Sequence, residues 1–378
     1  MNSNTNPNPE EKRYHLALAL APQIGPTLFK AILAYAGTAQ TFFTSASKKL
    51  KKIPRVGKKL EFLLTHQEEL LRQADTLLAN QEKQGYQVLT SLDAAFPKRL
   101  LSLADGPILL FYKGTGDLAM ERSVGIVGTR SATAYGKKIT KEILEELYPY
   151  RPTVLSGLAF GIDAEAHRAA LHLGLPTVAV LGSPITQIYP AAHAPLAAQI
   201  QEAQGGLLSE YAPGTKLLPG NFPARNRIIA GLSDALIVVE AAKKGGALIT
   251  ADLAFGYNKE VFAVPGNLHS PYSEGCNLLI KQMKASIYTG AKDLAATLSW
   301  TKPGEQKIKK PVLDLSNKEE EERKILLFLQ EKEEVGIDDI AFATQLEMGR
   351  VSSTLLSLEF EGLIKSLPGK KFRLLVSF

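Results

Sequence analysis

Short unbroken apolar runs alternate with segments of helical spacing through the middle of this 378-residue chain. Val124-Gly125-Ile126-Val127, Thr177-Val178-Ala179-Val180-Leu181 and Ala235-Leu236-Ile237-Val238-Val239 are too short for helices and lack the polar alternation of a strand with one wet face. They predict strands covered on both sides. Each is followed by a glycine-rich turn and a helix-period stretch, as in KKITKEILEELYPY, IDAEAHRAALHLG and ARNRIIAGLS. Strand, turn and helix repeated in this way predict a doubly wound α/β domain over residues 86–300, with GYQVLT and ILLFYKG as additional strands at its start.

Outside that domain the pattern changes. Residues 1–85 read as helices, with YHLALALAPQIGPTLFKAILAYAG broken at Pro22 and Gly25. Pro22-Gln23-Ile24-Gly25 returns as Pro54-Arg55-Val56-Gly57, and each glycine turn opens at once into a helix whose free N–H groups suit a phosphate. This resembles a pair of helix-hairpin-helix motifs in a small helical (SAM-like) domain. Lys52, Arg55 and Lys58 of the second copy are its candidate DNA contacts; the first copy has only Lys30 nearby. Pro, Gly and charge content mark residues 301–318 as a linker. Residues 319–378 then give three helices and a β-ribbon, a winged-helix pattern. Its presumed recognition helix shows Ser352, Ser353, Ser357, Glu359 and Glu361, which favours protein contact over base reading, while Lys370, Lys371 and Arg373 lie in the wing.

Composition narrows the classes. With 45% hydrophobic residues the chain is neither disordered nor collagenous. Its single cysteine, Cys276, excludes an intrachain disulfide and a thiolate cluster for zinc or iron–sulfur, so a reducing compartment, the cytoplasm, is expected. No apolar run has the length for a membrane span, and no membrane insertion is expected. The net charge of +6 divides into +5 over residues 1–118, +2 over 119–300 and −1 over 301–378. A polyanion site must therefore be assembled locally rather than spread as a basic coat.

Doubly wound sheets hold ligands beyond the carboxyl ends of their strands. The first turn there, Gly128-Thr129-Arg130, carries an arginine and hydroxyls (Thr129, Ser131, Thr133) ahead of a helix. It is not the G-x-G-x-x-G fingerprint, and no acidic residue follows the second strand, so a dinucleotide is disfavoured. The second turn begins Ser156-Gly157 and reaches Asp163, placed to cap the next helix, with His167 one turn on as a surface histidine able to pair with it. The third is Lys243-Lys244-Gly245-Gly246. Asn221-Phe222-Pro223-Ala224-Arg225-Asn226-Arg227 adds the densest polar cluster; its two arginines cannot share a helix face, so one can reach a ligand groove while the other braces the sheet or a loop acid, and the spacing does not say which. Together these predict an anion groove. Phe160, Tyr189, Tyr211 and Phe222 stand near strand ends as apolar rests for bases.

Enzymatic signatures are lacking: no G-x-S-x-G elbow, no G-x-x-x-x-G-K-[ST] loop, no metal-ligand spacing, and no cofactor motif. The domain is similar to Rossmann-like nucleotide phosphoribohydrolases, the alternative reading, but their P-G-G-x-G-T-x-x-E turn is here Lys243-Lys244-Gly245-Gly246-Ala247-Leu248-Ile249-Thr250, without the proline or the glutamate.

The ordered set GIVGTR, ATAYG, SGLAFGIDAEAH, IYPAAH, LLSEYAPG, FPARNRIIAGLSDALIVVEA, GALITADLA and VFAVPG resembles the bacterial DNA-processing protein A family (DprA/Smf) across residues 107–290. The resemblance implies an extended Rossmann core that binds single-stranded DNA without catalysis, forms a homodimer and loads a RecA-type recombinase during natural transformation. It assigns the groove arginine to Arg130, with Ser156, Gly157, Phe222, Arg225, Asn226 and Arg227 in or around the same groove, beside Gly128, Thr129, Gly245 and Gly246. Departures are local: the family's G-C-G-L-D run is Gly182-Ser183-Pro184-Ile185-Thr186, the Gly-Arg before V-F-A-V-P-G is Asn258-Lys259, and the late Gly-Ala after L-I-x-x is replaced by Met283-Lys284.

Overall fold

The computed structural model describes residues 8–22, 24–45, 57–302, 315, 318–330, 332, 334–367 and 371–375. Residues 1–300 form one compact unit and 301–378 a second.

The first unit is built on a nine-stranded sheet: β1 (Gln87–Thr90), β2 (Leu109–Gly114), β3 (Ser123–Val127), β4 (Thr153–Ser156), β5 (Thr177–Leu181), β6 (Gly206–Ser209), β7 (Ala235–Val238), β8 (Glu260–Ala263) and β9 (Ser286–Ile287). Its order is β1-β2-β6-β5-β4-β3-β7-β8-β9. The strands from β6 to β9 run parallel, and β2 and β1 extend the sheet antiparallel beyond β6. This is the doubly wound sheet expected from the unbroken apolar runs. Successive residues of those runs do face opposite ways: Val178 and Val180 pack with the helices Asn221–Leu232 and Gly246–Gly256, whereas Ala179 and Leu181 pack with Ala194–Glu202 and the N-terminal helices. Val124 and Ile126 meet the helices Ala134–Leu147 and Ile162–His172.

The chain leaves β3 towards β4, β5 and β6, then returns to place β7 on the other side of β3. Loops after β3 and β7 diverge at this switch and open a cleft at the carboxyl ends of the strands. Gly128 allows the two loops to start in contact, since a Cβ there would lie 2.5 Å from Ile162 Cγ1 and 2.9 Å from the Glu240 carbonyl oxygen.

The N-terminal helices Pro9–Leu20, Pro26–Ala36, Ala39–Thr44, Gly57–Thr65 and Gln67–Gln84 fall within the same compact unit as the sheet. Leu16, Phe29, Phe42 and Leu63 belong to the same core as Val88, Phe111, Leu181 and Leu207 of the sheet. Lys30 is not available to DNA: its ammonium donates to the carbonyls of Leu101 and Leu103. The turn of the second motif, with Lys52 and Arg55, lies outside the described residues; Lys58 falls in the helix Gly57–Thr65, its side chain likewise outside them.

In the second unit, helices Glu320–Gln330, Ile337–Thr344 and Met348–Phe360 pack Ile325, Leu329, Ile340, Val351 and Leu355 against a sheet of β10 (Val335–Gly336), β12 (Lys371–Leu374) and β11 (Ile364–Leu367), in that order. This is the winged-helix arrangement. Most of the expected linker lies outside the described residues.

Candidate nucleic-acid interface

The cleft at the switch point has a volume of about 1020 Å³ and is lined by Gly128, Thr129, Arg130, Tyr189, Leu218, Phe222, Asn226, Lys244, Gly245 and Gly246 among others. A smaller recess beside it, about 50 Å³, is walled by Phe160, Tyr189, Pro190 and Phe222, with Arg130 and Arg225 also contributing. The Tyr189 and Phe222 rings are tilted at 44° with centroids 5.2 Å apart, and the Arg130 guanidinium lies 5.9 Å from the Phe222 centroid. Arg130 is exposed and has no carboxylate at ion-pair distance among the described residues. Phe160 and Tyr189 are each about half exposed. A cation over an aromatic wall at the mouth of an apolar recess can hold a phosphate outside while a base rests inside.

The other sequence-predicted residues separate into groove wall and support. Arg225 is buried at 5% exposure and donates to the Val180 carbonyl and, through Nε, to Asn226 Oδ1 at 3.2 Å. Asn226 donates in turn to the Gly246 carbonyl at 3.3 Å, which ties the helix Asn221–Leu232 to the start of Gly246–Gly256. Arg227 faces away from the cleft lining and is held by Glu210, its Nη2 reaching both carboxylate oxygens at 2.5 and 2.6 Å. Arg225 thus reaches the lining of the cleft and recess while it braces the sheet, and Arg227 braces a loop acid. Ser156 is also buried, donating its hydroxyl to the Ile126 carbonyl at 2.6 Å. Beside it a Cβ on Gly157 would lie 2.3 Å from Asp163 Oδ2 and 2.5 Å from Arg225 Nη2, so only glycine fits between this acid and this base. Tyr211 turns inward, its hydroxyl donating to the Asn221 carbonyl at 3.1 Å.

Two of the three expected helix-start anion sites hold the protein's own carboxylates. At Ala134–Leu147, Glu240 accepts from Thr133 N–H at 3.0 Å and from the Thr133 hydroxyl at 2.6 Å, and that hydroxyl caps Gly136 N–H at 3.1 Å. Glu240 was not singled out in the sequence because it follows an apolar strand as any turn residue would. At Ile162–His172 the cap position is Gly161 rather than Asp163, which sits inside the first turn and accepts from Ala159 N–H at 3.3 Å across the loop. Burial pushes the Asp163 carboxyl up, against the pull of Arg225. His167 is fully buried rather than on the surface: Nε2 meets the Gly157 carbonyl at 2.6 Å and Nδ1 the Thr177 hydroxyl at 2.7 Å, and burial holds its pKa down at about 4. The third start, Gly245-Gly246, carries no side-chain cap and opens onto the cleft beside exposed Lys244. Among the described residues no three His, Cys, Asp or Glu side chains gather as a metal site, and no helix is long and apolar enough to cross a membrane.

The model of the DNA recombination-mediator protein A family matches residues 87–299. The chain belongs to this family. The DprA winged helix domain matches residues 309–370. Among relatives, Protein Smf of Synechocystis sp. is 35% identical over 96% of this chain and 98% of its own length. The DNA processing protein DprA of Streptococcus pneumoniae is 39% identical over 59% of this chain and 78% of its own. The X-ray structure of the S. pneumoniae protein superposes with a TM-score of 0.63 at 32% identity, covering 77% of this chain and 98% of that one. A Helicobacter pylori DNA processing protein A structure, which concerns the single-stranded DNA binding mode of that protein, gives 0.51 at 30% identity, covering 57% of this chain and 97% of that one.

Proposed function

We propose that this protein binds single-stranded DNA in the cleft after β3 and β7, with Arg130 on a phosphate and bases against Phe160, Tyr189 and Phe222. The observation that carries this reading is the exposed Arg130 guanidinium, without an ion pair among the described residues, over Phe222 beside the aromatic recess. Gly128 and Thr129 give the arginine its turn, Gly245 and Gly246 offer backbone donors across the cleft, and Ser156, Gly157, Arg225, Asn226 and Arg227 hold its walls. The single-stranded DNA binding mode of the H. pylori relative supports the same assignment. Within the family's DNA-processing role the protein, as a homodimer in the cytoplasm, protects incoming strands and loads a RecA-type recombinase onto them.

Titrating a labelled oligothymidine into the full chain tests the binding step. Arg130→Ala should weaken it roughly tenfold or more, the loss of charge-assisted hydrogen bonds contributing about 1.5–3 kcal/mol. Lys371→Ala in the wing should change it little, and affinity should fall steeply with salt. Equal small losses in both variants would place the groove elsewhere. Recombinase loading is tested separately, by filament formation on strands coated with single-strand-binding protein in the presence and absence of the chain.

The nucleotide-hydrolase alternative needs a free carboxylate near the glycine turns. Among the described residues Glu240, Asp163 and Asp252 are the carboxylates there; the first two are engaged by backbone donors and Asp252 is paired with Lys284, which favours a binder. Release of free base from nucleoside monophosphates, lost in Arg130→Ala, would reverse that preference.

A further inference from the structure

The loop after β4 is pinned through two successive carbonyls, each by a buried histidine. The Gly157 carbonyl meets His167 Nε2 at 2.6 Å, and the Leu158 carbonyl meets His193 Nδ1 at 2.9 Å. A carbonyl can only accept, so His193 carries a proton on Nδ1. His167 stands on Ile162–His172, the helix that the loop itself leads into, and its hold is local. His193 comes from elsewhere. It ends the short 3₁₀ helix Ala191–His193 beyond the loop after β5, and its own N–H donates to the Pro190 carbonyl at 3.0 Å.

The aromatic recess takes its walls from these same two loops, Leu158, Ala159 and Phe160 from one and Tyr189 and Pro190 from the other. His193 is bonded to both, through Leu158 and through Pro190. At 4% exposure it offers no surface to a strand. Its ring stands edge-on to Phe160, with centroids 4.7 Å apart and planes at 64°. Phe160 is 50% exposed, and among the described residues His193 is the ring that backs it. A half-exposed phenylalanine on a loop samples several rotamers unless a neighbour holds it, and arresting such a side chain on binding costs affinity. His193 holds Phe160 before the strand arrives.

We propose that His193 is a positioning residue for strand binding: it sets Phe160 at the angle on which a base rests and ties the Phe160 loop to the Tyr189-Pro190 loop, so that the recess keeps its width. It acts through Phe160 and Leu158 and touches no nucleotide itself. The inference rests on the reading of the recess as a base seat and adds to it a residue from outside the seat. Its two contacts are separable. Asparagine at 193 carries an amide N–H on its γ-carbon, as histidine carries Nδ1–H, and so keeps the bond to Leu158 while losing the ring against Phe160. Alanine loses both.

The test titrates a labelled oligothymidine into the full chain carrying His193→Asn, Phe160→Ala or both, with His193→Ala beside them. His193→Asn should weaken binding about two- to tenfold, the fold-change that arresting one side chain corresponds to, and His193→Ala should weaken it further. In the Phe160→Ala background His193→Asn should change nothing, because the ring it positions is gone. A merely structural histidine gives a different pattern, the same loss in both backgrounds together with a lower urea midpoint, and that pattern would overturn the proposal. So would a His193→Asn variant that binds like the parent. If His193→Ala does not fold, the asparagine pair still decides. Failure of the base seat itself is told apart by Phe160→Ala and Arg130→Ala: if both bind like the parent, the groove reading falls and this inference with it, whereas if both weaken binding and His193→Asn does not, this inference falls alone.

Discussion

Arg130 and Arg225 line one recess under opposite conditions. Arg130 is exposed over the Phe222 ring and has no ion pair among the described residues, so Arg130→Ala should leave the urea midpoint nearly unchanged while strand affinity falls. Arg225 is enclosed, with the Val180 carbonyl and the Asp163 carboxylate depending on it. Arg225→Ala should destabilise the first unit by about 3–5 kcal/mol, because it strands a buried acceptor and removes the cation beside a buried acid. Urea unfolding of both variants distinguishes the roles. Gly157→Ala should cost about 1–3 kcal/mol by the same measurement, since its methyl group would overlap Asp163 and Arg225. What holds each of Arg225 and Arg227 was not legible from the sequence: their spacing says that they diverge, but Val180 and Glu210, which receive them, come from distant strands and loops. Arg130 was legible because a glycine turn after a buried strand exposes whatever follows it.

At the level of elements, the strands were readable because burial on both faces leaves continuous apolar runs, and the helices because one stripe remains. Helix starts were misread where a distant acid fills them. Glu240→Gln should lower stability by about 1 kcal/mol, as a neutral amide accepts less strongly from Thr133. Two buried histidines tie elements together in a pH-dependent way. His167 links Ile162–His172 to the loop after β4, and His15 meets the Ser91 hydroxyl at 3.2 Å between the first helix and the loop after β1. Burial holds both at about 4, below an ordinary value of 6.5. Their neutral forms are therefore fully stabilising above pH 6.5. As pH falls towards 4 the unfolded chain takes up protons that the folded chain refuses, and stability declines by roughly 3 kcal/mol for each histidine before levelling off. Guanidinium titrations across that window should show the decline, reduced in His167→Gln after allowing for its own offset at neutral pH.

For the whole molecule, the division at residue 300 predicts two calorimetric transitions rather than the three that the sequence implied. Removing residues 301–378 should delete the smaller transition and leave most single-strand affinity, measured by oligothymidine titration. Loss of affinity in that folded truncation would move the main DNA surface into the winged helix. The N-terminal helices could not be joined to the sheet from their sequence alone, because an apolar helical stripe looks the same whichever surface covers it. That shared core also bears on how the chain is made. Leu16 and Phe29 leave the ribosome well before Leu207, and at about 5–20 residues per second the last strand of their core follows roughly 10–40 s later. During that interval the nascent helices hold an uncovered apolar face, so this end of the protein waits on its middle, and trigger-type holdases that shield emerging chains should matter more to its yield than to that of a protein whose domains close in order.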